Sequence, residues 1–177
     1  MDGLQAALTQ LVPNSEFAPG EMAGIRNELV KKVVQWASGE LRKAPSQMVV
    51  RDIRPASDLS ATYEDWSGVT GTTVDAYESL TTGTNSSERW IAFYGVTIME
   101  DTPCSMLKFN IGGGDRAIWN IDGLKSHDDW TGVSPAGVVI PPSMPFVISR
   151  YVRQVTSSAR IVLKGFVVEP RGKVISP

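Results

Sequence analysis

Apolar residues recur at every second position along most of this chain, and the longest such run lies between Glu88 and Gly123. Trp90, Ala92, Tyr94, Val96 and Ile98 share one face of an extended segment, with Ile91 and Phe93 on the other. Glu100-Asp101-Thr102-Pro103 interrupts the run, because proline presets a turn φ and cannot donate to a ladder. Leu107, Phe109 and Ile111 then alternate against Met106, Lys108 and Asn110, a period that suits a half-buried strand. Gly112-Gly113-Gly114 permits a tight reversal into a third run that carries Ala117, Trp119 and Ile121 on one side. Three strands joined by short turns form a meander, the seed of an antiparallel sheet.

The same period marks Gln47 to Arg54, Gly137 to Ile140, Pro145 to Val152 and Ala159 to Glu169, with Lys173 to Ile175 as an edge. In Pro145 to Val152 the alternation sets Phe146, Ile148, Arg150 and Val152 against Val147, Ser149 and Tyr151. Ala159 to Glu169 is apolar on both faces, which predicts a central strand. Between Pro55 and Ser87 the chain is rich in Ser, Thr, Gly and acids, and it reads as a long surface arm with one weak strand near Thr72 to Tyr77.

Helical spacing occurs only near the N-terminus. Asp2 can cap a short helix with Leu4, Ala7, Leu8 and Leu11 on one face, closed by Pro13. From Glu21 to about Ser38, Met22, Ile25, Leu29, Val33 and Trp36 recur at helical intervals, and Glu28 precedes Lys32 by four on the polar side. Two readings of that apolar stripe stay open. It covers the sheet of its own domain, or it docks on a neighbouring subunit as an assembly interface. On the second reading, removal of residues 1–43 leaves a folded β body that no longer assembles.

About eight strands with no helical pattern after residue 45 predict an all-β protein. The expected fold is an antiparallel two-sheet sandwich of jelly-roll type. Its long connections favour that form over an immunoglobulin-like one. The expected organisation is a helical segment over 1–45 and a sandwich over 46–177 with a long loop at about 55–87. Trp90, Phe93, Phe109, Trp119, Phe146, Leu163 and Phe166 are the predicted filling between the sheets.

Composition narrows the functional classes. A formal net charge of −2 lacks the basic excess of a nucleic-acid or anionic-membrane binder. No apolar run reaches the ~20 residues that span a bilayer. Cys104 is the one cysteine and His127 the one histidine, so neither a disulfide nor a several-histidine metal site is expected. His127-Asp128-Asp129 has no Gly-x-Ser-x-Gly partner, and a solvated turn is its expected role. Asn110 to Asp115 is Gly-rich but matches no phosphate-binding fingerprint. The carboxylates match no calcium-loop spacing. The expectation is a non-enzymatic protein without cofactor or metal. Tyr63, Trp66, Tyr77 and Trp130, in or beside the polar segments, are the candidate surface contacts.

The stretches WIAFYGVTI, SMLKFNIGG, PFVISRYV and ARIVLKGFVVEPRGKVI, taken together, resemble the small jelly-roll structural proteins of bacteriophage and other double-stranded DNA virus particles. The resemblance covers Gln47 to Pro177. It implies a capsid, cement or head–tail appendage component, assembled in the host cytoplasm as a trimer or ring with itself and other virion proteins. The rival reading is a carbohydrate- or surface-binding sandwich module, with a glycan as its ligand.

Overall fold

The structure, a computed structural model, describes residues 8–61, 73–99, 104–125, 131–154 and 160–172. Two short strands, β1 (Leu8–Gln10) and β2 (Val12–Pro13), precede helix α1 (Glu21–Leu41). Strand β3 (Met48–Asp52) leads into a single helical turn, α2 (Pro55–Asp58). Strands β4 (Ala76–Thr84), β5 (Trp90–Met99), β6 (Cys104–Ile111) and β7 (Gly114–Asn120) follow. After the short α3 (Asp122–Lys125) come β8 (Thr131–Ile140), β9 (Pro145–Val152) and β10 (Arg160–Pro170).

The strands form two five-stranded sheets. Their orders are β1-β7-β6-β9-β4 and β2-β8-β5-β10-β3. The eight strands from β3 onward pair in a nested way: β3 with β10, β4 with β9, β5 with β8, and β6 with β7, all antiparallel. That is the pairing of one long hairpin rolled upon itself. β1 adds to β7 in parallel and β2 adds to β8, so residues 8–13 cross from one sheet to the other along one side of the roll. Leu11, between them, is buried in the core.

The predicted alternation is met on β6, β7, β9 and β10. Phe109, Trp119, Phe146 and Leu163 fill the space between the sheets, and Phe109 lies edge-on to Trp119 at 4.7 Å. On β5 the alternation changes phase. Ile91 and Phe93 point inward, as do Val96 and Ile98, whereas Trp90, Ala92 and Tyr94 belong to the opposite face. Tyr94 is the cause: β10 skips it between Phe93 and Gly95, and so does β8. One extra residue reverses every side chain beyond it. Gly95 sits in the bulge because a Cβ there would lie 2.7 Å from the carbonyl oxygen of Gly132. The bulge turns Trp90 to the outside of its sheet, and Phe166, of opposite parity to Leu163 on β10, is buried on the same outer face, so neither lies between the sheets as expected.

α1 covers that outside face. Leu29, Val33 and Ala37 are buried against Met48, Trp90, Ala92, Phe166 and Val168. The Arg26 guanidinium lies over the Phe166 ring at 5.7 Å and reaches Asp52 at 3.0 Å. Burial of Leu29 and Val33 contributes about 1.5–3 kcal/mol each from apolar area. The helix runs past Gly39 to Leu41 and stops where Arg42 turns left-handed at φ 51°. Of the two readings of the stripe, Leu29 and Val33 follow the first: they cover their own sandwich.

Three other expectations change. Leu8 to Gln10 is a strand and not the end of a helix, and residues 1–7 lie outside the described residues. The long polar segment contains α2 and the nine-residue β4, a full member of its sheet. Its Tyr and Thr are strand formers on an edge whose outer side needs no apolar residues. β8 begins at Thr131, six residues before the predicted start at Gly137, and it bulges through 134–137 past Tyr94. The predicted edge strand at Lys173 lies outside the described residues.

Candidate functional site: a bare sheet face and a buried ion cluster

The sheet β1-β7-β6-β9-β4 has no helix on its outer side among the described residues. Register places its outward residues in rows. Thr82, Val147, Asn110 and Asp115 form one, and Ser79, Ser149, Lys108, Ile118 and Leu8 the next. The last is Tyr77, Tyr151, Met106, Asn120 and Gln10.

The charged groups on this face engage one another. Lys108 Nζ is 3.7 Å from Asp115 and 4.1 Å from the centre of the Tyr77 ring. The Asn110 amide donates to Asp115 at 2.8 Å. Tyr77 and Tyr151 meet edge to face at 5.2 Å, and the Tyr77 hydroxyl donates to Met106 Sδ at 3.8 Å. Burial, then the nearby Asp115 and Tyr151, push the Tyr77 phenol above its ordinary pKa, so it stays neutral. At the other end of the face a groove of about 430 Å³ is lined by Thr82, Thr84, Asn110, Pro145, Phe146 and Val147.

A second group of functional residue types lies where the edge strands β3 and β4 meet α2. Arg51 grips Asp58 with two hydrogen bonds of 2.7 Å and donates to Glu169 at 2.8 Å. Arg89 reaches Glu169 at 3.2 Å and Asp58 at 3.1 Å, closing an alternating ring of two cations and two anions. Arg89, Asp58 and Glu169 are buried. The local sequence builds this geometry: Pro55 starts α2 after the extended Arg54, and Asp58 accepts the Arg54 N–H at 2.8 Å. Next in the chain, the Leu59 carbonyl accepts a hydrogen bond from Thr81 on β4. α2 thereby bridges the free edges of both sheets.

Burial by itself would raise the Asp58 carboxyl. The Arg51 hydrogen bonds, the Arg54 N–H and the two guanidinium charges outweigh it and hold the group below the usual carboxylate range. Arg51 is raised, first by its hydrogen bonds to Asp58. Every charge in the ring is opposed by two of the other sign, so the cluster ties β3, β10 and α2 together.

Arg150 is also buried, on the inward face of β9, with its guanidinium 3.6 Å from Glu78 and 3.8 Å from Cys104 Sγ. Half-buried Arg51 and buried Arg150 could both have been found from alternation. Arg51 shares parity with Val49 and Ile53, and Arg150 with Phe146, Ile148 and Val152. Among the described residues no group of three or more His, Cys, Asp and Glu could hold a metal ion. No helix among them is long and apolar enough to cross a membrane.

The predicted assembly stripe is divided by the structure. Leu29 and Val33 are buried under the helix, which corrects their assignment to a subunit interface. Met22 and Ile25 are half-buried. Trp36 rests on Trp90 at 6.1 Å and is 49% exposed. Of the predicted surface contacts, Tyr77 lies on the bare face. Tyr63, Trp66 and Trp130 lie outside the described residues, as does His127-Asp128-Asp129. No family model, curated protein or solved structure matches this chain.

Proposed function

We propose that this chain is a non-enzymatic structural component of a virus particle, built on a jelly roll and acting by assembly with copies of itself and with other virion proteins. The nested pairing of the eight strands from β3 to β10 carries this reading. A hairpin rolled into two sheets is the jelly-roll arrangement found in capsid proteins, and the nested pairing is what supports that reading of this sandwich. The assembly surface consistent with the packing is the exposed flank of α1, with Met22, Ile25 and Trp36. Leu29 and Val33 already serve the fold.

Light scattering on the purified full chain, with negative-stain microscopy of the same sample, tests the proposal. A trimer, ring or shell is expected, and Trp36→Lys should dissociate it with little change in circular dichroism. A monomer at every concentration reached would sink the assembly reading. An oligomer indifferent to Trp36→Lys would move its interface off this flank.

A further inference from the structure

We infer that the outer face of the sheet formed by β4, β9 and β6 is a binding site for a neutral oligosaccharide. The chemistry of the face argues against a polyanion and against an apolar partner. A polyanion would need unopposed cations, yet Lys108 is engaged by Asp115 and by the Tyr77 ring. An apolar partner would need a wide greasy patch, and across β4, β9 and β6 the single row Tyr77, Tyr151 and Met106 is followed by rows that carry Ser79, Ser149 and Lys108, then Thr82 and Asn110.

What is left is a surface whose charges are internally matched and whose hydroxyl and amide groups suit an uncharged polyol. The groove of about 430 Å³ offers Thr82, Thr84 and Asn110 beside Val147, polar groups next to an apolar floor. The hydroxyls can donate or accept, and the Val147 side chain suits the C–H face of a pyranose. Four residues further along β9 stands Tyr151, about 13 Å away at the rise of an extended strand. Its ring meets Tyr77, whose own ring is engaged by Lys108, so Tyr151 is the stacking group and Tyr77 its support. A groove and a ring so far apart on one face fit a chain of several sugars and not a monosaccharide.

The inference does not depend on virion assembly, because the face lies on the sheet opposite α1. Calorimetric titration of the full chain with malto-, cello-, chito- and xylohexaose tests it, with a heparin hexasaccharide as the charged probe. At least one neutral oligomer should bind with little dependence on salt. Tyr151→Ala and Thr82→Val should each weaken it about tenfold or more, and Tyr151→Phe should keep most of the affinity. The Phe variant keeps the experiment decisive if Tyr151→Ala misfolds. Binding of heparin alone, binding untouched by both substitutions, or no binding by any of the four neutral oligomers overturns the proposal. Light scattering on the same samples reports assembly separately, so the two readings fail independently.

Discussion

The two sheets of this sandwich present opposite solutions on their outer sides. One carries Trp90, Ala92, Phe166, Val168 and Met48 outward, and it is roofed by the apolar stripe of α1. The other carries Thr82, Asn110, Lys108, Ser149 and Tyr151 outward, and no described element covers it. The inner faces do not differ in this way, since both contribute to one core. A sheet already closed on its partner needs a further cover only where its outer residues are apolar. The helix is therefore part of one sheet's burial, and the polar outer rows of the other need no such cover.

The contrast can be broken most severely by removing residues 1–43. This deletes α1 and both crossing strands, exposing Trp90 and Phe166. The remaining body is expected to unfold or aggregate. A soluble, monomeric β body by circular dichroism and light scattering would show that the roof is dispensable.

Point substitutions sharpen the comparison. Phe166→Ala, under the helix, should cost roughly 3–5 kcal/mol in denaturant unfolding. Ile118→Ala on the bare face should cost far less, and comparable losses would mean that the bare face is covered in solution. Asp58→Ala leaves Arg51 and Arg89 short of a buried partner and should cost roughly 3–5 kcal/mol.

The same cluster sets an acid response. The Asp58 carboxyl is held below its unfolded value, so its contribution is complete above about pH 4 and is lost as pH falls through the lower folded value. The thermal midpoint should drop in that window, and less steeply in Asp58→Asn. Parallel acid profiles would remove Asp58 from the account. The smallest effect is expected at Lys108→Ala, within about 1 kcal/mol, because its pairing with Asp115 is a surface one. A larger loss by chemical unfolding would assign that pair a structural role.

The sequence by itself determined the class of fold and most of the core. Period-two alternation placed Phe109, Trp119, Phe146 and Leu163 inside, because a side chain's face on a regular strand depends only on parity. Helical spacing likewise marked Leu29 and Val33 as buried positions.

Tertiary structure decided what each of those faces meets. The bulge at Tyr94 needed β8 and β10 on either side to form, and it moved Trp90 to the outer face against parity counted from Val96. β4 was obscured because an edge strand with a bare outer face has little apolar alternation to show. The Arg51–Asp58–Arg89–Glu169 ring joins residues up to 118 apart in the chain. No local pattern encodes which buried cation finds which anion, since that pairing exists only once β3, β10 and α2 have converged.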